Sequence, residues 1–201
     1  MTEVYFVRHA EPNYDNHDDL TRELTEKGLR DRALATAFLE DKHITSVLSS
    51  PYKRAVDTVR DFAERHDLPI TTVPDFRERR VDSEWIEDFD SFCRRQWADF
   101  DYKYTDGETL RTVQARNIAA LSEVLRTYAG QRVAIGSHGT ALSTIVNYFD
   151  PAFGYEDFQA IRGLMPWIVR FAFDDTRCTA ITSYNVFTGE TCAYSPRDIE
   201  L

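Results

Sequence analysis

The stretch Val4-Tyr5-Phe6-Val7-Arg8-His9-Ala10-Glu11 places four apolar residues directly before charged and polar ones. A short apolar run of β-branched and aromatic residues predicts a strand that is buried on both faces, as in a parallel sheet. Open α/β sheets bind their ligands at the carboxyl ends of the strands. Arg8 and His9 stand at such an end, so we expect them to line a functional site.

The rest of the chain alternates short apolar runs with longer segments of helical periodicity, which indicates an α/β fold. Further strands are predicted at residues 44–49, 70–73, 132–137, 167–173 and 178–184. Helices are predicted at residues 24–41, from Ser50-Pro51 onward, around residues 118–125 and at residues 139–149. Ser50 suits a helix N-cap and Pro51 suits the first helical position. No repeat or low-complexity linker divides the chain, so we predict one domain over residues 1–201.

The composition is that of a folded, acidic protein. Of its 201 residues 42% are hydrophobic, and 34 Asp and Glu against 24 Lys and Arg give a formal net charge of −10. Such a surface repels nucleic acid and anionic lipid, so neither is expected as a partner. The three cysteines lack metal-site spacing, and no apolar run has the length of a signal peptide or membrane span. We therefore expect a cytoplasmic protein with a local cationic pocket for a small anionic ligand; its oligomeric state is left open.

A second histidine occupies a position equivalent to that of His9. His138 follows the predicted strand at residues 132–137 and precedes Gly139, which begins a predicted helix. Arg54 lies just after the Ser50-Pro51 turn, at another strand end. Guanidinium groups bind two phosphate oxygens at once, and helix N-termini at Pro51 and Gly139 would add N–H donors. Together these groups predict a cationic cup for a phosphoryl group.

The same residues suggest a reaction. A neutral imidazole nitrogen is a competent nucleophile toward phosphorus, and we expect the flanking arginines to lower the pKa of His9. The alkoxide that leaves needs a proton, which a carboxylic acid can supply. Glu78, in Phe76-Arg77-Glu78-Arg79, follows the predicted strand at residues 70–73 and is the candidate donor. This chemistry needs no metal ion and no cofactor.

Four motifs in order resemble those of the histidine phosphatase superfamily, which includes the cofactor-dependent phosphoglycerate mutases. These are Arg8-His9-Ala10, the segment from Ser49 to Ala55, Phe76-Arg77-Glu78 and Ser137-His138-Gly139. Two weaker matches are Leu24-Thr25-Glu26-Lys27-Gly28 and Asp106-Gly107-Glu108-Thr109. The resemblance covers about residues 4–173.

The resemblance implies a three-layer α/β/α sandwich with a mostly parallel central sheet. It also implies a phosphohistidine on His9, a phosphoryl group bound by Arg8, Arg54, His138 and Gly139, and proton transfer by Glu78. The expected activity is therefore that of a metal-independent phosphatase acting on small phosphate monoesters.

Some positions depart from the family pattern. Ala10 replaces a glycine, which we expect to crowd the turn slightly. The glycine that usually follows the donor glutamate is missing, so Glu84 is an alternative to Glu78. Asn13 or Asn16 corresponds to a pocket asparagine of some members, but the spacing does not align. The aromatic segment at residues 77–107 has two interpretations: ordinary core packing, which its helical periodicity favours, or a lid that sets substrate choice.

Other functions are compatible with parts of the pattern. Phosphoglycerate-mutase-type phosphoryl transfer is the nearest alternative, followed by a phosphoprotein phosphatase and an inactive relative that binds a phospho-ligand. A metal site built from His9, Glu11 and His138 is disfavoured because the adjacent arginines would repel a cation. A two-histidine phosphodiesterase would need two His-x-Thr/Ser motifs, and His9-Ala10-Glu11 does not provide one.

Overall fold

The fold is built on a mixed sheet of seven strands in the order β3-β2-β4-β1-β5-β6-β7. The computed structural model describes residues 1–83 and 86–201. The strands are β1 (Thr2–Arg8), β2 (Ser46–Ser49), β3 (Ile70–Thr72), β4 (Arg132–Ser137), β5 (Trp167–Asp174), β6 (Arg177–Tyr184) and β7 (Thr191–Tyr194). Strands β3, β2, β4 and β1 are mutually parallel, while β5, β6 and β7 continue the sheet in antiparallel pairs. The parallel part of the sheet therefore contains the strand ends predicted to carry the site.

Helices cover both faces of this sheet, which confirms the predicted α/β/α sandwich. They are α1 (Glu26–Leu39), α2 (Lys53–Arg65), α3 (Phe89–Ala98), α4 (Leu110–Thr127), α5 (Gly139–Phe149) and α6 (Tyr155–Ile161). Because side chains alternate along a strand, β1 contributes Val4 and Phe6 to the core beneath α3–α6. Tyr5 and Val7 pack on the opposite face, against α1 and α2.

Strand β4 and helix α5 begin and end where the sequence predicts, whereas α2 starts later than expected. Ser50 does not cap α2: the N-cap is Tyr52, and the helix begins at Lys53. The Ser50 hydroxyl instead contacts His138 and accepts a hydrogen bond from the Tyr52 N–H. Helix α6 and strand β7 were not predicted, since both are short and neither has a marked apolar pattern.

The aromatic segment at residues 77–107 contributes α3 to the main core. Phe92 and Trp97 are buried, and Phe89 and Phe100 pack against them while partly exposed. The interpretation as core packing therefore describes this helix. Within the described part of the chain, no helix is both long and apolar enough to cross a membrane.

Candidate active site

The two histidines meet because the strands that precede them are neighbours in the sheet. Strands β1 and β4 pair in parallel with Arg8 opposite Ser137, so His9 and His138 emerge at the same edge. The backbone N–H of His9 extends this ladder by donating to the Ser137 carbonyl at 3.0 Å. The imidazole ring centres are 5.3 Å apart. Sheet register alone thus brings together the two rings that the sequence places 129 residues apart (138 − 9 = 129).

His9 is held in one tautomer. Its Nδ1 lies 2.7 Å from the carbonyl oxygen of Ala10, which can only accept, so Nδ1 carries the proton and Nε2 keeps a lone pair. Burial lowers the pKa of His9 well below its usual value, and the charges of Arg54 and Arg8 lower it further. The expected influence of the arginines is therefore present, with burial as the larger cause. Ala10 fits its buried position, where its N–H donates to Thr58 Oγ1 at 3.0 Å.

His138 is fully buried, and it makes its hydrogen bond through Nε2, whereas His9 uses Nδ1. Its Nε2 lies 2.7 Å from Ser50 Oγ, whereas its Nδ1 has no hydrogen-bond partner among the described residues. Burial lowers the pKa of His138 well below its usual value, and Arg54 and then His9 contribute in the same direction. Ser50 was predicted as a helix cap and its contact with His138 was missed. Its place at the end of β2, beside β4, was the available signal.

Arg8 lies under the start of α5. Its Nη1 donates to the carbonyls of Ile161 at 2.7 Å and Leu164 at 3.1 Å, and no described residue accepts from its buried Nε. A Cβ at Gly139 would lie 3.0 Å from that Nε, so the glycine lets the guanidinium approach the helix. Burial lowers the pKa of Arg8 to about 10, which leaves the group charged at neutral pH.

Arg54 enters the site from the second position of α2 and is only 2% exposed. Its Nη1 donates to the carbonyl of Asp19 at 2.7 Å and its Nη2 to the Asp19 carboxylate at 3.2 Å. The guanidinium carbon lies 5.0 Å from the ring centre of Tyr52. Asp19 was not identified from the sequence, because one acid in a polar loop carries no periodic or motif signal.

The carboxylate of Glu78 also lies at the start of α5, although its backbone belongs to the segment after β3. Its Oε2 accepts from the Thr140 N–H at 3.0 Å, and its Oε1 accepts from the Ala141 N–H at 3.1 Å and the Arg79 N–H at 2.8 Å. The carboxylate therefore lies across the first turn of α5, close to His138. The alternative donor, Glu84, lies outside the described residues.

The prediction of unoccupied N–H groups at two helix starts was wrong in part. At α5 the N–H groups of Thr140 and Ala141 bind Glu78, while the N–H of Gly139 donates to no described residue. At α2 the N–H of Lys53 donates to the Leu20 carbonyl at 3.0 Å, and that of Tyr52 to Ser50 Oγ. Side chains and loops thus satisfy most of the donors that were expected to bind an anion.

Three other candidates lie outside this group. The amides of Asn13 and Asn16 both donate to Glu23, so they brace the loop between β1 and α1. Glu11 contacts the Thr25 hydroxyl and lies 3.4 Å from Lys27 Nζ. Among residues 1–83 and 86–201, no three His, Cys, Asp or Glu side chains are grouped as metal ligands.

Comparison with known proteins agrees with this geometry. The family model of the histidine phosphatase superfamily (branch 1) matches residues 4–186. A metal-independent phosphoserine phosphatase of Arabidopsis thaliana is 28% identical over 160 residues, which are 72% of this chain and 67% of the relative. A probable phosphoglycerate mutase of Enterobacter sp. (strain 638) is 29% identical over 161 residues, 73% of this chain and 74% of the relative.

The fold has matching solved structures as well. YhfR of Bacillus stearothermophilus superimposes with a TM-score of 0.71 at 19% sequence identity, covering 100% of this chain and 98% of its own. The agreement of fold, strand-end residues and family model over most of the chain leads to one assignment. The chain belongs to the histidine phosphatase superfamily.

Proposed function

We propose that this phosphatase hydrolyses small phosphate monoesters through a phosphohistidine formed on Nε2 of His9. The observation that carries the proposal is the state of that nitrogen. His9 is neutral, its Nδ1 proton is bound to a carbonyl, and its Nε2 shares the site with two buried arginines. A free lone pair beside two guanidinium groups is what attack on a phosphoryl dianion requires.

In the first step Nε2 of His9 attacks phosphorus and the bond between phosphorus and the ester oxygen breaks. The unpaired Nε of Arg8 and the guanidinium of Arg54 would bind the equatorial oxygens, whose charge is spread over the group in the transition state. The N–H of Gly139 and the ring of His138 would complete the binding site. For His138, the tautomer with a proton on Nε2 can donate to phosphate once the Ser50 contact is exchanged.

Proton transfer is assigned to Glu78. In its protonated form it would give its proton to the departing alkoxide, leaving an alcohol and a carboxylate. In the second step the carboxylate would take a proton from water as the water oxygen attacks the phosphohistidine. The phosphorus–nitrogen bond breaks, phosphate is released, and neutral His9 and protonated Glu78 are restored. The sequence calls for no metal ion or cofactor in either step.

Residues 77–107 would influence which esters fit. The carbonyls that hold Arg8 belong to residues 161 and 164, and Arg162 between them forms an ion pair with Asp90 of α3. Helix α3 is therefore connected to the support of Arg8, and because its aromatic face is packed in the core, its opposite face and the adjoining loop are where a lid function would act. We propose that substrate choice depends on this segment.

Phosphoryl transfer between positions of one substrate is the second candidate, because the Enterobacter relative is named a probable phosphoglycerate mutase. Hydrolysis and transfer differ in what becomes of the phosphohistidine, which a mutase protects from water. A cytoplasmic location is proposed from the three cysteines, which are all free. The absence of nucleic acid as a partner stays a prediction from the net charge of −10.

The test is release of inorganic phosphate from a panel containing phosphoserine, 3-phosphoglycerate, p-nitrophenyl phosphate and a phosphopeptide. We expect hydrolysis of the small esters that is unaffected by EDTA and lost in His9→Ala. His66→Ala, which changes an exposed histidine at the end of α2, is the matched control and should retain activity. Rapid quenching should trap an acid-labile phosphoryl group on the wild-type protein and on His66→Ala, but not on His9→Ala.

Other outcomes of this assay would identify a different activity for the protein. Isomerised phosphoglycerate without free phosphate would establish the mutase reaction, and phosphopeptide turnover alone would establish a phosphoprotein phosphatase. Strong inhibition by EDTA would instead support a metal site built from His9, Glu11 and His138. No turnover of any substrate, together with retained phosphate binding, would identify an inactive relative.

A further inference from the structure

Glu78 occupies a segment without regular secondary structure. It follows a short 3₁₀ turn at Pro74–Phe76 and precedes a loop, yet its carboxylate reaches the start of α5. A group on such a segment keeps a productive position only if neighbouring residues hold it. The contacts around its backbone show which residues those are.

Arg116 on α4 donates hydrogen bonds from every nitrogen of its guanidinium, and both terminal nitrogens contact this segment. Its Nη1 donates to the carbonyls of Asp75 at 2.7 Å and Arg77 at 2.8 Å, and its Nη2 donates to the carbonyl of Glu78 at 3.2 Å. Its Nε donates to Glu108 Oε1 at 2.9 Å and its Nη2 to Glu108 Oε2 at 3.0 Å. One side chain thus joins three carbonyls, the last of them that of Glu78 itself.

Glu108 completes the arrangement from the other side. Its Oε2 accepts from the Arg80 N–H at 2.8 Å, and its own N–H donates to the Arg80 carbonyl at 2.8 Å. Burial raises the pKa of Glu108, but the hydrogen bonds from Arg116 and from the Arg80 N–H, with the charges of Arg116 and Arg77, outweigh burial and lower the pKa overall, so the group is ionised at neutral pH. Gly107 allows this approach because a Cβ there would collide with the Val81 carbonyl.

We propose that Arg116 and Glu108 are positioning residues that hold Glu78 in place through its backbone while it transfers the proton. This inference rests on the proposed role of Glu78. The N–H groups of Thr140 and Ala141 bind its carboxylate, but protonation places a hydrogen on one oxygen and weakens those contacts. The hydrogen bonds of Arg116 go to carbonyls and do not change when Glu78 is protonated. They therefore hold the acid in the state in which it must donate.

The test compares two substrates that share a phosphoryl group and differ in the leaving group. p-Nitrophenyl phosphate releases a stabilised phenolate that needs little help from an acid, whereas an alkyl phosphate such as phosphoserine releases an alkoxide that needs a proton. We expect Arg116→Lys, which keeps the charge and loses the fork, to lower kcat/KM for the alkyl ester roughly a hundredfold. The loss with p-nitrophenyl phosphate should be a small fraction of that. Glu108→Gln should show the same selectivity to a lesser degree.

Arg111→Lys is the matched control, since Arg111 lies on the same helix and forms an exposed ion pair with Asp101. It should leave both rates unchanged. Glu78→Gln should show the full dependence on the leaving group, and adding Arg116→Lys to Glu78→Gln should cost nothing more. Thermal unfolding of each variant monitors folding, and Glu108→Gln preserves the test if Arg116→Lys does not fold.

These kinetics distinguish an error in the proposed role of Glu78 from an error in the positioning role of Arg116 and Glu108. If Glu78→Gln affects both substrates equally, the proposed role of Glu78 is wrong. If Glu78→Gln is selective but the variants at 116 and 108 lower both rates equally, lower neither, or add to Glu78→Gln, the positioning role is wrong and the function stands.

Discussion

The two halves of the candidate active site are held by different forces. The strand-end half, His9, His138, Arg8 and Gly139, is fixed by the pairing of two buried strands and by the helix that follows one of them. The loop half, Asp19 and Glu78, is fixed by hydrogen bonds from side chains and from helix N–H groups, with no strand pairing. Sheet register is cooperative and insensitive to one polar change, whereas a loop contact disappears with the atom that makes it. Substitutions in the two halves should therefore differ in size and in sign.

Among the substitutions proposed to compare the two halves, the largest expected effect on the rate lies in the strand-end half. Gly139→Ala would place a Cβ 3.0 Å from Arg8 Nε, 3.1 Å from its Cζ and 3.2 Å from its Nη2. The arginine side chain must move, although α5 can still form, because alanine favours a helix. A displacement of about 1 Å can cost about a hundredfold in rate, and these contacts require a shift of a few tenths of an ångström, so we expect kcat/KM to fall by several-fold to about tenfold with the melting temperature retained.

Steady-state kinetics and a thermal melt check this prediction. Gly154→Ala is the control, because a Cβ at residue 154 would approach no atom closer than the Ala152 carbonyl oxygen at 3.9 Å, which is ordinary van der Waals contact. Full activity of Gly139→Ala would mean that the guanidinium of Arg8 does not need this helix start, and the strand-end half would be less constrained than its packing indicates.

A second prediction uses the burial of the strand-end half. Both histidines have pKa values well below their usual range, chiefly through burial. The unfolded chain therefore binds protons near the ordinary histidine pKa of about 6.5, while the folded chain does not. The free energy of unfolding should be unaffected by these groups above that pH and should decrease as the pH falls below it. The limiting slope is about 1.4 kcal/mol per pH unit for each histidine.

Urea denaturation between pH 7.5 and 5.0 measures that slope. His9→Asn and His138→Asn should each reduce it by up to one proton, and the double variant by up to two. A slope that is the same in the wild type and in the double variant would show that neither imidazole is excluded from water to the extent that the structure indicates.

The same comparison explains which features the sequence could predict. Strand β4 and helix α5 have strong apolar patterns with clear ends, and strand-end logic then places His9 beside His138 without any further information. Strand-end positions also predict Arg8 and Arg54, the need for a proton donor points to Glu78, and the family motifs repeat these three assignments. Local sequence patterns were sufficient for these residues because the pairing of parallel strands places residues that are far apart in the sequence at the same edge of the sheet.

The contacts of the loop half had no such signal. Asp19 bonds to Arg54 across 35 residues and Glu78 to Thr140 across 62, and neither pair belongs to a periodic element. The N–H groups of α5 were expected to be free for an anion, and the sequence could not show that the protein's own carboxylate binds two of them. Ser50 was given a local role because capping is a local pattern, whereas its contact with His138 spans 88 residues.

The smallest predicted effect is in the loop half and has the opposite sign. The carboxylate of Asp19 lies 3.2 Å from Arg54 Nη2, so an incoming phosphate must compete with it for the guanidinium. Asp19→Asn keeps the size of the side chain and the backbone carbonyl that binds Arg54, but removes the competing charge. Because the carboxylate is 43% exposed, the pair is worth only about 0.2–1 kcal/mol, which corresponds to a change of about 1.4- to fivefold.

We therefore expect two constants to fall by that factor in Asp19→Asn: the KM for the phosphate ester and the inhibition constant for inorganic phosphate. The kcat should change little. The gain should shrink at high salt, since a partly exposed pair is screened, and it should vanish in an Arg54→Ala background. Asp15→Asn makes the same change of charge at an exposed position of the same loop and should alter neither constant. A weaker affinity for phosphate in Asp19→Asn would mean that Asp19 orients Arg54 for binding, and the loop would then belong with the strand ends as part of the preformed pocket.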